Sequence, residues 1–203
     1  AIINIDVSNR YIQSLKGIEY FTDVSTLNCK TNQLTTLDLS KNTELRALDC
    51  SANQLTTLDL MLNFGLYRVD CSSNRLTTLN VSSCTQMTEL RCQTNQLTVL
   101  DVSKNTDLIT LYCSSNQLTS LDVRNFTALT SMYCENNQLT ELIMGSNTQL
   151  TSLTCSNNKM TSLDLSGCTS LRTLYCMNGQ LISLNVANTK VADMYCSSNQ
   201  LNS

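Results

Sequence analysis

Apolar residues along this chain follow neither a simple helical period nor a simple strand period, but a longer composite one. Between Leu45 and Asn63, the residues Leu45, Leu48, Cys50, Asn53 and Leu55 spell LxxLxCxxNxL; Leu55, Leu58, Leu60 and Asn63 then spell LxxLxLxxN. The pairs Leu45/Leu48 and Leu55/Leu58, taken alone, fit a helix face. The spacing of two in Leu48/Cys50 and Leu58/Leu60 is the alternation of a strand. Each half-motif therefore predicts one short strand, and each full unit predicts two.

The unit recurs along nearly the whole chain, and a repeat of this length specifies a stacked architecture. Cys29, Cys50, Cys71, Cys92, Cys113, Cys134, Cys155 and Cys176 are each 21 residues apart, and Cys196 follows after 20, one residue being missing around Asn188. An Asn three residues on recurs as Asn32, Asn53, Asn74, Asn95, Asn116, Asn137, Asn158 and Asn199, with Gly179 as the exception. A second column reads Asn42, Asn63, Asn105, Asn147 and Asn188, replaced by Cys84, Phe126 and Cys168. Leu48 and its equivalents, such as Val69, Leu90 and Met132, form one inward column, and Leu58, Leu79, Leu100 and their equivalents form the facing one. One turn alone buries too little to offset the ordering of its residues, so stability has to come from stacking. The Asn columns fall at the bends, where an amide with two donors and an acceptor oxygen satisfies backbone groups that no ladder reaches. With no Pro and five Gly, the corners are left to Asn, Ser and Lys, and Asn tolerates left-handed backbone angles. Residues 1–24 form an atypical opening turn. Ile3, Ile5 and Val7 alternate as a strand of the cysteine-column sheet, and Ile18 and Phe21, after Gly17, predict one helical turn. Residues 25–203 are the repeats, and nothing in residues 1–203 marks a domain boundary.

These residues resemble the leucine-rich repeat family, and the nested ten-plus-eleven spacing is similar to its short bacterial subclass sometimes called IRREKO. The segment Ile12 to Val24 resembles the longer LxGIExF turn of internalin-type repeats. The predicted fold is a right-handed leucine-rich repeat solenoid, an all-β-leaning member of the α/β-type repeats, with two parallel β-sheets and little helix. Half-turns of similar length make it nearly straight, with about ten turns and a length of roughly 45 Å at ~4.8 Å per turn. The chain stops within a turn at Leu201, Asn202 and Ser203, without a polar capping repeat. Solenoid ends need cover, so either the natural protein continues or a partner or second copy covers Val191, Met194, Cys196 and Leu201. A fragment of a longer protein is the expectation.

Eleven cysteines would ordinarily point to disulfides or metal, but the periodicity points to reduced core thiols, because nine of them share one inward column. Neighbouring turns at ~4.8 Å lie inside the disulfide range of ~4.4 to 6.8 Å, so bridges between adjacent turns stay open as the alternative. A metal site is disfavoured by the absence of His and of any CxxC. A net charge of -3 and scattered basic residues (Arg46, Arg68, Arg91, Lys104, Arg124, Lys159) argue against nucleic acid. No apolar run approaches the ~20 residues of a transmembrane segment, and the chain opens at Ala1 without a charged-then-apolar leader. No nucleophile, proton shuttle or metal set is visible, and no cofactor is implied, so no enzyme is expected.

Candidate chemistry is confined to outward columns. The residue before each column cysteine reads Asn28, Asp49, Asp70, Arg91, Tyr112, Tyr133, Thr154, Tyr175 and Tyr195, an aromatic stripe in its second half. Tyr offers a large amphipathic surface with little side-chain entropy to lose, as at binding hot spots. Tyr112, Tyr133, Tyr175 and Tyr195, flanked by Arg91 and Glu135, are thus the candidate ligand-binding residues; stacked shielding of a sheet is the alternative. Asn53, Asn74, Asn95, Asn116 and Asn137, with Cys50, Cys71, Cys92, Cys113, Cys134 and Cys155, are read as structural. Asp38, Asp59, Asp101, Asp122 and Asp164 form an outward column on the other face, expected to be solvated or bonded to their own loops rather than to calcium. The function these observations favour is a non-catalytic scaffold binding a protein or, second, a glycan. The resemblance implies a secreted or cell-surface bacterial protein used in adhesion. The other reading is a spacer holding another domain away from the surface.

Overall fold

The computed structural model describes residues 2–201; Ala1, Asn202 and Ser203, and with them the last two residues of the mid-turn stop, lie outside the described residues. The elements are β1 (Asn4–Asp6), β2 (Thr26–Asn28), β3 (Ala47–Asp49), β4 (Arg68–Asp70), β5 (Glu89–Arg91), β6 (Thr110–Tyr112), β7 (Ser120–Asp122), β8 (Ser131–Tyr133), β9 (Glu141–Ile143), β10 (Ser152–Thr154), β11 (Ser162–Asp164), β12 (Thr173–Tyr175), β13 (Ser183–Asn185) and β14 (Asp193–Tyr195). The single helical turn predicted after Gly17 is a 3-10 turn, Ile18–Tyr20. The molecule is a parallel β-solenoid with almost no helix.

Ten strands, β1-β2-β3-β4-β5-β6-β8-β10-β12-β14, form one parallel sheet in which each strand pairs with its equivalent a turn away. Leu27 faces Leu48, Leu48 faces Val69, and Leu174 faces Met194, so the inward column predicted from spacing is a physical column. The opening strand belongs to the same sheet, with Ile5 opposite Leu27. The facing side is paired less completely. β7 pairs with β9, β11 pairs with β13, and an isolated bridge joins Asp59 to Asn80. Of the two predicted faces, one carries a continuous ladder and the other a ladder in pieces.

The interior between the two faces is filled by the predicted columns. Cys29 through Cys176 are buried reduced thiols, and Cys196 is half-buried. Burial is the first cause that pushes the buried thiols up, to about 12 at Cys29 and Cys113 and to about 11 at Cys176. A buried thiol with a raised pKa is a weak nucleophile and a small apolar packing group.

The first Asn column uses all of its amide. Asn53 accepts the Leu34 N–H at 3.0 Å through Oδ1, and through Nδ2 it donates to the Cys29 and Cys50 carbonyls at 3.0 and 3.1 Å. Asn74, Asn95, Asn116 and Asn137 repeat this set, each tying its own turn to the one before. Most of the second column only donates, Asn63 to the Leu39 and Asn42 carbonyls and Asn105 to those of Val81 and Cys84, whereas Asn147 also accepts the Gly145 N–H at 2.9 Å through its Oδ1. The Oδ1 atoms of Asn42, Asn63 and Asn105 have no partner among the described residues. Cys84 imitates the donor, its Sγ lying 3.6 Å from the Asn63 carbonyl oxygen.

Two details differ from the sequence reading. The left-handed corner lies one residue before the column Asn, and Thr and Ala share it with the expected Ser and Asn: Thr31, Ala52, Ser73, Thr94, Ser115, Asn136 and Asn157 all have φ between 52 and 58°. In the last turn the second-column position falls to Thr189, whose N–H and hydroxyl both donate to the Val186 carbonyl. Asn188 is turned outward at φ 63°. A corner drawn in by one residue turns its amide out of the column.

Candidate functional site: the tyrosine column

Strand alternation sends the third residue of every main-sheet strand outward, and parallel pairing sets these residues one rung apart. The structure therefore brings Arg91, Tyr112, Tyr133, Thr154, Tyr175 and Tyr195 into one line across β5, β6, β8, β10, β12 and β14. Tyr112 and Tyr133 stack with centroids 4.6 Å apart and planes 1° from parallel; Tyr175 and Tyr195 stack at 4.6 Å and 3°. The Arg91 guanidinium lies over the Tyr112 ring, 4.5 Å from its centroid, as the next member of the stack. Glu89 holds that guanidinium and also meets Arg68 at 3.3 Å. Face-to-face stacking covers ring faces and leaves ring edges and hydroxyls outward, so Tyr112, Tyr133 and Tyr175 are half-buried while Tyr195 is exposed.

Glu135 lies on the rung of Tyr133, two residues along and on the same face. Its Oε2 is buried without a hydrogen-bond partner among the described residues. All six residues singled out from sequence thus lie on one surface, and the polar half of the same column, Asp49 and Asp70, extends it toward the first turns.

The outward carboxylates of the other face are loop-bonded. Asp38, Asp59, Asp101 and Asp164 each accept the backbone N–H two residues on at 2.9 Å. These bonds hold Asp38, Asp101 and Asp164 below the usual carboxylate range, with the backbone bond the largest cause. Asn80 and Asn185 accept the same bond, which explains why they stand in that column.

One feature escaped the sequence reading. Met61, Leu62, Phe64 and Tyr67 are all exposed in a single turn, with Val99 two rungs on and Ile109 further along. A shallow trough of about 590 Å³ runs between Met61 and Val99 over Leu58 and Leu79. The signal was present: Met61 interrupts a column of Ser40, Ser82 and Ser103, and Phe64 one of Thr43, Thr85 and Thr106. These are corner columns, outside the hydrophobic period.

Comparison with known proteins agrees with this geometry. The family model described as Leucine Rich repeats (2 copies) matches residues 148–188. No curated protein matches the chain. Among solved structures, the functional domain of InlJ from Listeria monocytogenes, which includes a cysteine ladder, is 33% identical with a TM-score of 0.68, over 98% of this chain and 54% of that one. A leucine-rich repeat protein of Leptospira interrogans is 22% identical with a TM-score of 0.86, over 98% of this chain and 56% of that one. Internalin C2 from Listeria monocytogenes is 22% identical with a TM-score of 0.75, over 88% and 81%. The chain spans about half the length of the first two. The motif columns, the continuous parallel sheet and these likenesses together make this chain a leucine-rich repeat solenoid of internalin-like fold.

Proposed function

We propose that this chain is a non-catalytic recognition scaffold, and that Tyr112, Tyr133, Tyr175 and Tyr195, with Arg91 and Glu135, form the centre of its protein-binding face. The observation that carries this reading is the ordered aromatic stack on a sheet whose other outward columns are mostly small or polar. Rigid, half-buried rings lose little entropy when a partner covers them, which is what hot spots require. Edges and hydroxyls, rather than open ring faces, point outward over most of the stripe, which favours a protein partner over a glycan that needs a bare ring to lie upon. A secreted or surface-attached setting is part of the same proposal and rests on the family likeness. Among the described residues no helix is long and apolar enough to cross a membrane.

The test starts from peptides selected on the immobilised chain from a displayed random library. Binding of the selected peptides is then compared with a variant in which the four tyrosines are jointly replaced by Thr, the residue that the same column already accepts at Thr154. Loss of binding, with the thermal unfolding transition retained, is the expected result. Undiminished binding overturns the proposal.

A further inference from the structure

The stack has a gap. Tyr133, Thr154 and Tyr175 pair in register on β8, β10 and β12, so the two tyrosines are separated by two rungs with only a Thr between them. With 4.6 Å from ring to ring in each stacked pair, the walls of the gap stand about 9 Å apart, twice the spacing of neighbouring parallel strands. One flat group centred in the gap would meet both ring faces at the distance the stack already uses. Thr154 is its floor. Ser152 and Ser156 lie to either side on the same rung, and Glu135 and Met177 stand on the flanking rungs.

We propose that this gap receives the guanidinium of an arginine presented by a protein partner, sandwiched between Tyr133 and Tyr175. The inference rests on the face being the recognition surface. Three observations select arginine. The column already holds a guanidinium against a tyrosine face, Arg91 at 4.5 Å from the Tyr112 centroid, so the spacing suits that group in this molecule. The electron-rich faces of two tyrosines attract a planar cation from both sides. Two residues along from Tyr133 on the same rung, Glu135 has a buried carboxylate oxygen that nothing among the described residues bonds; a guanidinium brings five N–H donors and no acceptor. A Phe ring would fit the width but offer that carboxylate nothing. An ammonium would bring charge without a flat face.

The probes are the capped pentapeptide Gly-Gly-Arg-Gly-Gly and its Lys and Trp counterparts, titrated into the chain while the tyrosine ring resonances are followed. The arginine peptide is expected to shift the signals of Tyr133 and Tyr175 before those of Tyr112, and to bind about tenfold tighter than the lysine peptide. Thr154→Tyr, which fills the gap with the residue the column prefers, should weaken arginine binding by about tenfold or more. Tyr175→Thr, which removes one wall, should weaken it too and covers the case in which Thr154→Tyr fails to fold. No binding of the arginine peptide, equal binding by Thr154→Tyr, or tighter binding of the tryptophan peptide each overturns the assignment. If library-selected peptides are lost on the four-tyrosine variant but kept by Thr154→Tyr, the recognition face stands and the arginine gap falls. If neither variant changes them, both fall.

Discussion

The two asparagine columns use the same side chain unequally, and the sequence registers the difference. Where Oδ1 accepts and Nδ2 donates twice, as at Asn116, the column tolerates little else. Where Oδ1 is idle, as at Asn63, other turns carry Cys or Phe at the equivalent position. Asn116→Ala strands the Leu97 N–H and the Cys92 and Cys113 carbonyls. At ~1 to 3 kcal/mol per stranded buried group, it should lose about 3 kcal/mol or more. Asn63→Cys copies what Cys84 already does and should lose about 1 kcal/mol, the value of a typical hydrogen bond. Urea unfolding of the two variants checks this; equal losses would mean that the acceptor half of the amide contributes nothing.

At the level of elements, corner backbones come closest where a side chain is missing. A Cβ on Gly145, just after β9, would lie 2.2 Å from the Arg124 carbonyl oxygen, and one on Gly167 would lie 2.1 Å from that of Gly145. This is the interval in which the second face forms its ladders, β7 with β9 and β11 with β13. Gly145→Ala must push two backbones apart and should destabilise by ~1 to 3 kcal/mol, as overpacking does. Gly65→Ala is the control. The atoms nearest its Cβ all belong to the Arg46 side chain, which can swing away, so the thermal midpoint should hardly move. The inward columns were legible in the sequence because equal spacing sends equivalent side chains to one face, although in the last turn Met194 is exposed; the opening strand and the helical turn were legible from local spacing. The interruption of the second face was not, since Leu58, Leu79 and Leu121 look alike as letters while only Leu121 sits in a ladder. The tyrosine line was legible for the same reason as the cysteine line. What Thr154 does to it was not, because a gap has meaning only once ring-to-ring spacing is known.

For the whole molecule, the cysteine column makes stability a collective property of protonation. Burial, reinforced in most of the column by neighbouring thiols and carboxylates, raises Cys29 and Cys113 from an ordinary value of 9.0 to about 12 and Cys176 to about 11, and raises Cys50, Cys71, Cys92 and Cys134 well above it. A group whose folded value is raised keeps its full contribution below the unfolded value and loses it as pH climbs toward the folded one. Between pH 9 and about 12 the unfolded chain sheds protons that the folded chain keeps. Each buried thiol then removes about 1.4 kcal/mol per pH unit. Against a typical domain stability of ~5 to 15 kcal/mol, several thiols acting together should unfold the solenoid near pH ~10. Circular dichroism from pH 8 to 12 should show that transition. Replacing Cys50, Cys71 and Cys92 jointly by Val, a somewhat larger apolar residue without a proton to lose, should move the midpoint up and flatten the slope. A slope unchanged by that replacement would mean that alkaline unfolding is driven by other groups, and that the column contributes packing alone.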